Sequence, residues 1–93
     1  MTEAGLRKNL DAMGFETTSR TYSPGPIAAV HTDGRLRIQA VLSGEVRVTI
    51  DGESAILTAG DAIYIPGGGI RCVEVLGSPA AYCLEGAYRT DAG

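Results

Sequence analysis

At 93 residues, 44% hydrophobic and 20% charged, the chain is the size of one small domain, expected to bury only about 60–65% of its unfolded surface and so to gain from a second subunit. No apolar run approaches the roughly 18 residues that a membrane span needs, so no membrane partner is expected. A net charge of −3 argues against a duplex-binding surface, because phosphate contacts require clustered Lys and Arg, and nucleic acid is not an expected partner.

Residues 2–13 place Leu6, Leu10 and Met13 at i, i+4 and i+7, the stripe of a short amphipathic helix with Thr2 as N-cap and Gly14 as stop. The same segment lacks the apolar core and small-residue cleavage site of a secretion signal, so a cytoplasmic setting is expected. From Phe15 to Tyr22 a threonine-rich run suits an edge strand, ended by Ser23-Pro24-Gly25-Pro26. Short apolar or alternating runs then recur at 27–31, 36–42, 46–50, 55–57, 62–65, 71–75 and 80–85, separated by turn signals. Asp51-Gly52 is the strongest of these, since a two-residue hairpin turn needs the positive φ that both residues tolerate. Such punctuation predicts an antiparallel sandwich or barrel. The expected organisation is a helical extension over 1–14, a barrel over 15–87 and a tail over 88–93.

With Gly77-Ser78 as the last hairpin turn, Arg71 falls opposite Leu84, Cys72 opposite Cys83, and Val73 opposite Tyr82. That register sends Arg71, Val73, Tyr82 and Leu84 into the lumen and sets both cysteines with Glu85 on the outer face. The cysteines read as buried thiols, with a strained cross-strand disulfide as the alternative. With one histidine and no C-x-x-C pair, no cysteine-built metal site is expected.

The stretch from Gly25 to Val75 carries two spaced patterns. Gly25, His31, Asp33, Arg37 and Gly44 fall on a glycine, five residues, then H-x-H-x3-E-x6-G; Gly60, Pro66, Gly68, Arg71 and Val75 fall on a glycine, five residues, then P-x-G-x2-H-x3-N, with fifteen residues between the two. In this spacing the chain resembles a small single-domain cupin over residues 20–87. The resemblance implies an all-β, antiparallel jelly-roll barrel, here with a short N-terminal helix. It also implies that a divalent ion would be held by three histidines and a glutamate. Of those four positions only His31 is kept; Asp33, Arg37 and Arg71 stand at the others. Two fixed guanidinium charges would each repel a dication by roughly 6–8 kcal/mol at 4–6 Å and an effective dielectric near 20, so neither metal nor cofactor is expected.

His31, Asp33, Arg37, Arg71 and Tyr82 are the candidate ligand-binding residues, for a small carboxylate or phosphate recognised by arginine forks, with Tyr82 over an apolar part. A structural network in which Asp33 pairs with Arg37 or Arg71 stands beside that reading, as does a purely structural His31. The functions in play are a metal-free anion-binding domain, a cupin-type isomerase or epimerase working without metal (less readily a metal-dependent one), and a ligand-sensing or interaction module. A homodimer is expected, from small size, the spare helix stripe and the threonine-rich edge.

Overall fold

The computed structural model describes residues 2–31, 33–68, 70–77 and 79–89, with His31 described in its main chain only. Among these residues one helix, α1 (Glu3–Ala12), precedes eight strands: β1 (Phe15–Tyr22), β2 (Ala28–His31), β3 (Arg37–Ser43), β4 (Glu45–Ile50), β5 (Glu53–Thr58), β6 (Ala62–Ile65), β7 (Ile70–Val75) and β8 (Ala81–Tyr88). The helix begins where the Thr2 hydroxyl accepts the Gly5 N–H at 3.0 Å, and it stops before Gly14, whose φ of 97° no other residue adopts readily. Leu10 is buried and Leu6 partly so against Phe15, Ile38 and Leu84, whereas Met13, the third member of the expected stripe, stays about half exposed.

The strands form two antiparallel four-stranded sheets, ordered β1-β8-β3-β6 and β2-β7-β4-β5. This interleaving is the jelly roll: chain neighbours mostly lie in opposite sheets, and among the described residues only β4 and β5 pair as neighbours. Their turn has the chemistry expected of it, with φ of 51° at Asp51 and 80° at Gly52. Between the sheets, Val41, Val46, Val48, Leu57, Val73, Ala81 and Cys83 make the main core. Each buried Val or Leu contributes about 1.5–3 kcal/mol, so this packing defines which strand faces look inward. No helix among the described residues is long and apolar enough to cross a membrane.

The last two strands correct the sequence expectation. β7 and β8 do not form a hairpin: β7 lies between β2 and β4 in one sheet, and β8 between β1 and β3 in the other. Both edges of each are already filled, and the chain crosses between sheets through Gly77, at φ 86°, and Pro79, which has no N–H to give a ladder. The change of partner inverts the faces of β8. Ala81, Cys83 and Glu85 belong to the inner row, while Tyr82 and Leu84 look towards α1. Cys72 and Cys83 therefore sit in different sheets, both as free thiols. The strand β8 also runs to Tyr88, at the start of the expected tail; residues 90–93 lie outside the described residues.

Candidate functional site

Arg71, the second residue of β7, projects into the lumen and is 1% exposed. A guanidinium cannot shed its charge on burial, so its surroundings must supply acceptors. They come from the facing sheet. Nη1 donates to Oε1 of Gln39 on β3 at 2.8 Å, and Nη2 pairs with Oε1 of Glu85 on β8 at 3.3 Å. The other oxygen of Glu85 accepts a short hydrogen bond from the Tyr22 hydroxyl, and Nε2 of Gln39 lies 3.7 Å from the Cys83 sulfur. Gln39 and Glu85 are side by side because β3 and β8 are in that register. The result is a polar layer spanning the barrel, in which one atom, Nε of Arg71, is buried with no partner among the described residues.

The layer keeps its neighbours protonated. Burial, then the hydrogen bond and charge of Glu85, pushes the Tyr22 phenol well above its usual range. Burial likewise pushes the Cys83 thiol up, against a smaller opposing effect of its Gln39 contact. Neither is an activated base or nucleophile.

Asp33 is elsewhere. It sits in the bend between β2 and β3, where Gly34 takes a φ of 91° and ends any continuous strand through His31, Asp33, Arg35 and Arg37. Its carboxylate accepts the Arg35 N–H at 3.2 Å, the Arg35 Nε at 2.9 Å and an Arg37 Nη at 3.2 Å. The Arg35 backbone bond first, then the two guanidinium groups, hold its carboxyl down to about 2. Of the two pairings open from sequence, Asp33 makes the one to Arg37 and not the one to Arg71. This bend touches the loop after β6: a Cβ on Gly67 would lie 1.9 Å from the Gly34 carbonyl oxygen, so the two loops meet where only glycine fits.

A cavity of about 240 Å³ opens at this mouth, lined among others by Glu16, Thr18, Arg20, Arg35, Arg37 and Glu85. Glu85 is thus both the floor of the cavity and the partner of Arg71. Arg20 lies over the Tyr22 ring, 4.9 Å from its centroid, and Arg35 is 3.8 Å from Glu16. Nε of Arg37 is buried and, like that of Arg71, has no partner among the described residues.

Of the five expected site residues, the structure brings Arg37 and Asp33 together at the mouth and buries Arg71 in the lumen. Tyr82 is displaced: it lies on the helix side of β8, where its hydroxyl bonds both carboxylate oxygens of Glu3 at 3.0 Å, and it cannot cover a lumenal ligand. The main chain of His31 lies opposite Ile70, one residue out of step with the Val30 and Arg71 pair; its side chain is outside the described residues. Three residues were missed: Gln39, Glu85 and Tyr22. Glu85 and Gln39 are polar residues inside otherwise apolar strands, a legible sign of an inward polar partner, but the assumed hairpin had turned Glu85 outward.

The donors do not fit a divalent ion. Among the described residues no three of His, Cys, Asp and Glu come together, Asp33 is already held by two arginines, and Glu85 is committed to Arg71. A cation occupies the place at which a ligand would be needed.

A cupin domain profile matches residues 19–85. Among solved structures, the cupin domain of an XRE-family transcriptional regulator from Enterobacter cloacae matches at 18% identity and TM-score 0.73, over 85% of each chain. A cupin barrel protein from Salinispora arenicola matches at 21% and 0.73, over 83% of this chain and 65% of that one. A predicted oxalate decarboxylase from Thermotoga maritima matches at 19% and 0.69, over 87% and 72%. No curated protein matches in sequence. At such identities the structural likeness is one of fold. The family profile spans most of the residues from β1 to β8, and the chain belongs to the cupin domain family.

Proposed function

We propose that this cupin is a metal-free binding domain for a small organic anion, a carboxylate or phosphate, taken up at the barrel mouth. The observation that carries the reading is the sign of the mouth cavity. Three arginines, Arg20, Arg35 and Arg37, line it with Glu16 and Glu85, in a chain whose net charge is −3. Arg35 and Arg37 share the one carboxylate of Asp33, so with Arg71 behind Glu85 four guanidinium groups stand against three carboxylates and one positive charge is left over. An anion at this point offsets that charge, and the arginine fork suits a planar carboxylate or a phosphate oxygen pair. Binding is favoured over catalysis because the phenol and thiol that approach the lumen are both pushed away from ionisation. The homodimer and the cytoplasmic setting are part of the same proposal, supported by size and by the two free cysteines.

The test is thermal denaturation of the wild type and Arg37→Ala against acetate, succinate, benzoate and inorganic phosphate. A ligand at 100 times its Kd stabilises by about 2.7 kcal/mol, several degrees for a domain of this size. The reading requires at least one anion to raise the wild-type midpoint by that order and to lose the effect in Arg37→Ala. Equal responses in both proteins would sink it.

A further inference from the structure

The two sheets are not sealed along the side where β5 and β6 are the edges. A second cavity, of about 320 Å³, enters there between Val48, Ile50 and Ala55 of one sheet and Ile63 of the other, with Asp51 and Glu53 on its rim. It lies across the polar layer from the mouth: Ile50 is the register partner of Arg71, and Ile63 that of Gln39. Ile50, Ala55 and Ile63 pack on the main core yet remain only partly buried, so apolar surface that faces the barrel interior stays wet. Covering it is favourable, and the volume suits a small molecule.

The charge at the entrance selects the occupant. Glu53 shares the inner row of β5 with Ala55 and Leu57, where an apolar residue would be ordinary. Neither Glu53 nor Asp51 has an ion-pair partner among the described residues, and no Lys or Arg lines the cavity. From these observations we infer that this is a second binding site, for a small ammonium compound with an apolar body: the body enters between Ile50 and Ile63, and the ammonium stays at the rim by Asp51 and Glu53. The barrel then has two sites of opposite preference, one for anions at its mouth and one for amphipathic cations at its side. This second site does not depend on the first.

Methyl-detected NMR titration tests it, with 2-phenylethylamine, the uncharged 2-phenylethanol and the anionic 3-phenylpropionate as probes. The amine is expected to move the Val48, Ile50 and Ile63 methyl signals and, at low salt, to bind about fivefold more tightly than the alcohol, as two partly exposed ion pairs allow. Asp51→Asn with Glu53→Gln should bring the amine to the level of the alcohol; Asn accepts the φ of 51° at this turn, so the hairpin is preserved. Ala55→Leu should block both by filling the cavity. The inference is overturned if these methyls do not respond to the amine, if amine and alcohol bind equally to the wild type, or if sedimentation and NMR show the same methyls covered by a second copy.

Discussion

Replacing Glu85 by Gln tests the account of the lumen most directly. The substitution keeps size and an acceptor oxygen for the Tyr22 hydroxyl, but leaves the guanidinium of Arg71, 1% exposed, without its counter-charge. At 3.3 Å and an effective dielectric of about 20, the attraction removed is roughly 5 kcal/mol. Gln still offers Arg71 a neutral acceptor, so the net loss should fall at the low end of the 3–5 kcal/mol range for breaking a buried pair, about 3 kcal/mol. A chain of 93 residues has about 5–14 kcal/mol of stability in total, so the midpoint should fall by roughly 12–24 °C. Thermal denaturation followed by circular dichroism measures the midpoint and urea denaturation the free energy, and Arg71→Met closes a double-mutant cycle. The double variant should be more stable than Glu85→Gln alone, because no unpaired charge is left inside. A loss under about 0.5 kcal/mol for Glu85→Gln, or strictly additive losses in the cycle, would refute the reasoning. Under the proposed function, phosphate or acetate should also raise the midpoint of Glu85→Gln more than that of the wild type, by standing in for the missing carboxylate.

Other substitutions separate the remaining parts of the structure. Asp33, held down to about 2 from the usual 3.8, contributes stability that is present above the higher value and lost as pH falls through the lower one; Asp33→Asn should flatten the acid limb of stability against pH between 4 and 2, read by urea midpoints at each pH. Gly67→Ala forces a Cβ to within 1.9 Å of the Gly34 oxygen, and either the two loops separate or the domain fails to fold; a loss of about 3 kcal/mol or more is expected in chemical denaturation. Tyr82→Phe removes only a hydrogen bond to Glu3 on α1, so it should cost about 0.5–1 kcal/mol and leave anion titrations unchanged, whereas a lumenal Tyr82 would alter them.

The glycine and proline frame was legible because its cause is local. Asp51-Gly52, Gly44, Gly60 and Gly68 all take positive φ, and β6 ends at Ile65 before Pro66, as the residue types alone demand. Strand identities followed from the same local alternation. What was not legible depended on which strands pair. Two apolar runs joined by a Gly-Ser pair look like a hairpin, yet in a jelly roll they belong to opposite sheets, and that one change moved Glu85 into the lumen and Tyr82 out of it. Motif positions alone tied Asp33 to the lumenal residues. Only the bend at Gly34 shows that it serves the mouth and leaves Arg71 to Glu85.

The retained charge in the lumen is the reason to read this barrel as more than a worn-down relative of metal-binding cupins. Arg71, Gln39 and Glu85 tie one sheet to the other, so they form a cross-link between the two. For stability alone, however, a buried ion pair is a poor choice: desolvation of both groups offsets most of their attraction, and apolar residues of similar volume would fill the layer at no loss. Val48, Val73 and Val41 around it show that the core accepts such residues freely. The arrangement also leaves Nε of Arg71 and Nε of Arg37 buried without partners among the described residues, which a layer selected for packing would not need. One carboxylate of the network, Glu85, faces the mouth cavity. Under the proposed function, an anion taken up at the arginine-lined opening competes with Glu85 for Arg71, and that competition gives the buried pair a role that packing alone does not.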